Sequence, residues 1–178
     1  LEIFNPNFAL FSCYGQDKKY QPNKQSFVNE DHLAFFDFAG KIVARALIER
    51  VPINVNFTTS FWKQILNYEP NLNDLKEIDL ELYNSLQSLI NNDVDSLCLS
   101  FTSDEDEFGS YLSIPLKENG SKIDVTNENK NEYIRLLSNY VLRDSIRDQV
   151  NAFCEGFYSF PLLSEIRIFT PNELNMLI

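Results

Sequence analysis

At 178 residues, with 44% hydrophobic and 13% aromatic content, the chain can bury a sizeable core and fits one domain or two small subdomains. Twenty-six acidic residues against fifteen basic ones give a net charge of -11, and no Lys/Arg cluster stands out, which argues against a nucleic-acid partner and for a basic protein surface. Cys13, Cys98 and Cys154 are odd in number and set among apolar residues, so they read as reduced cytoplasmic or nuclear thiols rather than a disulfide frame. His32 is the single histidine and no CxxC pair exists, so neither a metal nor a cofactor is expected. No apolar run approaches the roughly 20 residues of a membrane span and no signal peptide is visible, so a soluble protein with no membrane partner is expected. Leu1 in place of a start methionine, and an apolar helical pattern running to Ile178 without a cap, read as a piece of a longer polypeptide.

In chain order, an Asn5-Pro6-Asn7 turn leads to a strand-like segment, Phe8 to Tyr14, ending at Gly15. Asp31 to Glu49 has helical periodicity, with Leu33, Phe36, Gly40, Val43 and Leu47 on one face and either Asn29 or Asp31 as cap; Ala39, Ala44 and Ala46 permit close helix contacts. Thr58 or Thr59 caps a second helix through Leu66, closed by Pro70. Asp79 to Asn91 is a third helix with Leu82, Leu86 and Leu89 at i, i+4 and i+7 and Asp79 as its cap. Strands are predicted at Leu97 to Thr102 and Tyr111 to Leu116 around an acidic loop, Asp104 to Glu107, and Asn119-Gly120 predicts a two-residue hairpin into Lys122 to Val125. Thr126 to Tyr158 carries the longest helical pattern, capped by Thr126, whose apolar stripe changes face near Arg143, Asp144 and Ser145. Gly156 and Pro161 end that pattern, and Pro171 opens a last helix.

Chemistry is thinly supplied. No cysteine lies at helical spacing from His32, which reads as a helix-surface residue, and the carboxylate pairs Glu30-Asp31, Asp79-Glu81 and Glu105 to Glu107 read as solvated faces and caps. Composition alone therefore favours a binding or scaffolding module over a complete active site.

The order of motifs is more telling. IFNPNFALF (Ile3 to Phe11), NEDHLAFFDFAGKIVARAL (Asn29 to Leu47), FTTSFWKQIL (Phe57 to Leu66), LYNSLQSLINND (Leu82 to Asp93), Phe108-Gly109, LKENGSKIDVTNENKNEY (Leu116 to Tyr133), QVNAFCEGF (Gln149 to Phe157) and IFTPNELNMLI (Ile168 to Ile178) follow one another at plausible spacing. Over nearly its whole length the chain resembles the N-terminal lobe of the HECT-type ubiquitin ligase domain. The resemblance implies a predominantly helical α+β fold. A larger helical subdomain would come from about 1–78 and 138–178, and a smaller α/β subdomain with a short antiparallel sheet from about 79–137.

The resemblance also implies a function. A ubiquitin-charged conjugating enzyme would dock on this lobe and pass ubiquitin to a cysteine on a C-terminal lobe beyond Ile178, and from there to a lysine of a protein substrate recruited by other regions. Cys13, Cys98 and Cys154 lack the Thr-Cys-Phe-type context of the family's catalytic cysteine, so these residues alone are expected to be inactive. In relatives a loop phenylalanine of the conjugating enzyme enters an apolar groove, which maps here to Leu82, Leu86, Leu89, Leu97, Leu99, Tyr133 and Leu137. Asn92 stands where some relatives carry an aromatic, and Leu137 replaces another, so the pocket is expected to be differently shaped. Alanine at Tyr133 or Leu99 is expected to weaken docking without unfolding the lobe. The resemblance also implies, for a subset of relatives, a ubiquitin-binding patch, which maps near Phe8 and Phe108. The competing class is a non-enzymatic helical interaction module.

Overall fold

The computed structural model describes residues 2–107, 109–163 and 165–178. It is mostly helical, with a three-stranded and a two-stranded sheet, as expected of a helical α+β lobe. The chain divides into two compact units, residues 1–70 with 142–178 and residues 71–141; the sequence places the breaks at 78/79 and 137/138.

The first unit holds β1 (Phe11–Tyr14), β2 (Lys19–Pro22), α1 (His32–Glu49), β3 (Asn56–Phe57), α2 (Thr59–Ile65), α5 (Arg147–Phe157) and α6 (Pro171–Leu177). β1 pairs antiparallel with β2 from Phe11↔Pro22 to Tyr14↔Lys19, and β2 pairs in parallel with β3. Phe36, Ala39, Gly40, Val43 and Ala44 of α1 are buried, as the periodicity predicts, whereas Leu33 at the edge of that face stays 39% exposed. α1 packs on α5 at very short range. A Cβ on Gly40 would collide with the Phe153 carbonyl, and one on Gly156 with the Asp37 carbonyl. Gly156 therefore lies inside α5 as a close-approach residue, where the sequence suggests a helix end.

The core of this unit is aromatic. Phe11 meets Phe36 edge-on at 5.0 Å, Phe57 meets Phe61 at 5.0 Å and Trp62 at 5.4 Å, and Phe61 meets Phe153 at 5.0 Å. Asn175 of α6 locks it: its Oδ1 accepts from the Trp62 indole (2.7 Å) and the Phe57 amide (2.9 Å), and its Nδ2 donates to the Phe57 carbonyl (2.9 Å). Thr58 caps α2 by accepting from the Phe61 amide and donates to Gln21, which also receives the Ser60 hydroxyl. Thr170 and Glu173 form a capping box on α6, and Glu173 is held below the usual carboxylate range by the Thr170 amide and hydroxyl.

The second unit holds α3 (Leu80–Asn91), β4 (Thr102–Glu107), β5 (Ser110–Pro115) and α4 (Lys130–Leu142), whose last residue belongs to the first unit. Asp79 caps α3 by accepting from the Leu82 amide at 2.8 Å. Elsewhere this unit departs from expectation. Leu97 to Thr102 is not a strand: one 3-10 turn covers Asp95–Leu97, and Cys98 follows in the left-handed region at φ 49°. The acidic run is itself a strand, β4, paired from Thr102↔Pro115 to Glu107↔Ser110 across a turn containing Gly109 at φ 86°. Backbone pairing outweighs the charge there, and Glu105 accepts from the Tyr140 hydroxyl at 3.0 Å. Asn119-Gly120 opens a 3-10 turn rather than a hairpin, and an isolated bridge, Ser100↔Asp124, stands where the sequence predicts a third strand. Gly120 is required by proximity, because a Cβ there would press on the Phe101 carbonyl.

The long helical pattern is broken. α4 and α5 are separated by a 3-10 turn at Asp144–Ile146, where the sequence shows its change of face. α4 starts at Lys130, one turn after the predicted cap Thr126, whose amide donates to Asn129 Oδ1 at 2.8 Å.

Candidate functional site

The surface predicted to receive a partner lies wholly within residues 71–141, and the backbone brings much of it together. The Lys130 ammonium at the start of α4 donates to the carbonyl of Asn92, the C-cap of α3, at 2.7 Å. The Val125 amide donates to the Leu99 carbonyl at 2.8 Å, and the Phe101 ring meets Tyr133 edge-on at 5.6 Å. The end of α3, the 92–101 segment and the first turns of α4 are therefore neighbours. Leu82 and Leu86 share a helical face with Leu89 but lie about 15 and 9 Å along the axis from Asn92, at 1.5 Å per residue.

The seven predicted residues differ in depth. Leu86, Tyr133 and Leu137 are buried, at 2%, 7% and 7% exposure. Leu82, Leu89 and Leu99 are half-buried, and Leu97 is exposed at 49%. They differ in the surface they leave open: Leu86, Tyr133 and Leu137 expose little of their side chains, and the other four retain more. Burial, followed by the nearby Asp104 carboxylate, raises the Tyr133 phenol above its ordinary range, so its hydroxyl stays neutral at physiological pH.

Phe101 and Val94, both fully buried, anchor the two ends of the wall that carries Leu97, yet neither stands out in the sequence. Lys117 adds its ammonium 3.7 Å over the Phe101 ring and an ion pair to Glu132 at 2.9 Å. The signal for Phe101 was present in LCLSF, an apolar residue every second position, but that pattern does not tell which member is sealed.

Of the patch predicted near Phe8 and Phe108, Phe108 lies outside the described residues. Phe8 is 48% exposed and borders an apolar cleft of about 240 Å³ with Ile3, Leu10, Phe35 and Phe38.

No group of three or more metal-ligating side chains occurs among the described residues, and none of their helices is long and apolar enough to cross a membrane. Burial pushes the Cys154 thiol up to about 11, the opposite of an activated nucleophile. His32 is more deeply engaged than a surface residue. Its Nδ1 lies 3.0 Å from the hydroxyl of the fully buried Ser26, which also accepts from Gln149 Nε2 at 3.2 Å. That network ties the start of α1 to α5, and a serine with no solvent exposure cannot meet a substrate.

The predominantly helical α+β fold is that expected of a ubiquitin-transferase lobe. The model of the HECT-domain (ubiquitin-transferase) family matches residues 1–178, and the chain belongs to that family. Among its relatives, the E3 ubiquitin-protein ligase HACE1 of Homo sapiens is 41% identical and that of Danio rerio 40%, each match covering 99% of this chain and 20% of the relative. A protein of Eremothecium gossypii named probable E3 ubiquitin-protein ligase TOM1 is 35% identical over 99% of this chain and 6% of its own length. The chain thus spans about one fifth of the HACE1 relatives it matches.

Proposed function

We propose that residues 71–141 dock a ubiquitin-charged conjugating enzyme, so that ubiquitin passes to a cysteine on a lobe outside this chain and then to a substrate lysine. The observation that carries the reading is Leu97. Between the fully buried Val94 and Phe101, residues 95–98 face solvent, and the aliphatic side chain among them is held out on a hydrogen-bonded turn. With half-buried Leu82, Leu89 and Leu99 it offers apolar surface to an aromatic anchor, and the net charge of -11 suits a partner with basic residues around that anchor. These residues bind and orient. The chemistry of thioester exchange belongs to groups elsewhere, since burial raises the half-buried Cys154 thiol to about 11 and none of Cys13, Cys98 and Cys154 has the sequence context of the family's nucleophile.

The test is direct binding of the chain to a panel of recombinant ubiquitin-conjugating enzymes. Selective binding to some members, lost in Leu97→Ala and weakened in Leu99→Ala, is the expected result. Uniform absence of binding would leave the non-enzymatic interaction module as the better description. A second reading concerns Phe8: its exposure beside an apolar cleft favours a weak ubiquitin contact, which titration of labelled chain with free ubiquitin detects as shifts at Phe8 and its neighbours.

A further inference from the structure

The wall that carries Leu97 is held from outside, and one side chain does most of the holding. Asn127, just before α4, uses three groups on three consecutive residues. Its Oδ1 accepts from the Val94 amide at 3.2 Å, its Nδ2 donates to Asp93 Oδ1 at 3.0 Å, and its own amide donates to Asp95 Oδ1 at 2.9 Å. Asp93 Oδ1 also receives the Asp95 amide at 2.9 Å. The Leu97 amide then donates to the Val94 carbonyl at 2.9 Å, so the turn bearing Leu97 starts from the residue that Asn127 grips.

The turn has reason to need a grip. It ends at Cys98, a non-glycine residue at φ 49°, a conformation that costs about 1 kcal/mol or more unless the surroundings impose it. On one side the Val125 amide holds the Leu99 carbonyl; on the other, Asn127 holds residues 93–95. Without the second attachment the segment can relax toward extended backbone, and Leu97 turns away with it. The Asp93 carboxyl is held below the usual carboxylate range, chiefly by the bond from Asn127 and then by the Asp95 amide.

We propose that Asn127 is a positioning residue for conjugating-enzyme docking: through the Val94 amide and the carboxylates of Asp93 and Asp95 it fixes the Val94–Leu99 wall in its docking conformation, with no contact of its own to the partner. This rests on the docking reading above. Its consequence is that affinity depends on a polar side chain outside the apolar surface, because a preorganised wall spares the partner the ordering of a loop.

The experiment uses the conjugating enzyme that binds most tightly in the panel, and measures its affinity together with amide hydrogen exchange at Val94, Asp95 and Leu97. Asn127→Ala is expected to speed exchange at these amides, leave α4 protected and weaken docking about tenfold. Asp93→Ala, which keeps the Val94 bond, should free the Asp95 amide and weaken docking less; it carries the test if Asn127→Ala does not fold. Asp93→Asn retains an Oδ1 acceptor and should bind as the parent does. Fast exchange with unchanged affinity would overturn the proposal, as would weakened affinity with unchanged exchange, which would mean direct contact. Leu97→Ala separates the two levels: if it binds normally, the docking reading itself fails, and if it binds poorly while Asn127→Ala binds well, only the positioning role is lost.

Discussion

The two units are built on different terms. In residues 1–70 with 142–178, eight large aromatic side chains are buried at 4% exposure or less, two helices approach closely enough to exclude any side chain at Gly40 and Gly156, and the Gln21 and Asn175 side-chain oxygens each accept two hydrogen bonds. In residues 71–141 the buried set is smaller and mostly aliphatic, several leucines keep exposed surface, and side chains such as Asn127, Asn129 and Lys130 bond to loop backbone. Both units leave apolar side chains exposed, Phe8, Phe35 and Phe38 in the first and Leu97 and Leu112 in the second; what sets the second apart is an interior with few aromatics and polar brackets that hold the segment bearing Leu97.

The comparison is broken most severely at the glycine crossing. Gly156→Ala places a methyl group inside the Asp37 carbonyl, and because the obstacle is backbone on a packed helix, neither side can step aside. A loss of about 3 kcal/mol or more is expected, read as a large drop in the urea midpoint by fluorescence of Trp62, the single tryptophan. Gly120→Ala meets Phe101 in the second unit by the same logic, though with a less extreme clash.

Next in size is Asn175→Ala. It strips the acceptor from the Trp62 indole and the Phe57 amide together, and both groups lie in the aromatic core. About 2–3 kcal/mol should be lost, since buried donors left unpaired cost more than the bond itself is worth. Asn175→Asp keeps the acceptor but loses the donation to the Phe57 carbonyl, so it should recover part of the loss.

A third outcome depends on pH. Cys154 is raised to about 11 by burial, while an unfolded thiol ionises near 8.5. The folded chain therefore holds this proton more tightly, its contribution is complete below about pH 8.5, and stability falls as pH rises through the window up to about 11. Cys154→Ala should flatten that part of the profile. At pH 8 a thiol reagent should modify the exposed Cys13 and Cys98 quickly and the half-buried Cys154, whose thiol is raised by burial, more slowly.

The sequence made much of this legible, and what it hid has physical causes. α1, α2, α3 and α6 were readable because each combines apolar periodicity with a start signal, such as Thr58, Asp79 or Pro171. β2 and β3 were not, because KYQP and NF are too short to show alternation and owe their pairing to tertiary context. The acidic β4 was masked by its charge. The break between α4 and α5 lacks glycine or proline; the Leu142 carbonyl left over there is satisfied by Gln64 Nε2 at 2.9 Å, a partner 78 residues away that no local pattern reveals. For the docking surface, helical spacing identifies a face but not its depth. Leu86 and Leu89 are alike in sequence, yet one is sealed and the other half-open.

That difference in depth sets the smallest expected change in stability and the sharpest use of the comparison. Tyr133 packs against Phe101 and is 7% exposed, so Tyr133→Ala opens a cavity costing about 3 kcal/mol, and weakened docking in that variant could be blamed on damage to the unit. Leu97 is free of the difficulty. At 49% exposure it contributes little to the interior, and Leu97→Ala should alter stability by no more than about 0.5 kcal/mol. If binding to conjugating enzymes falls while the urea midpoint stands still, the uncovered leucines of residues 71–141 are there for a partner. A midpoint that drops by as much as it does in Tyr133→Ala would instead show that Leu97 belongs to the interior, and the contrast between the two units would lose its functional meaning.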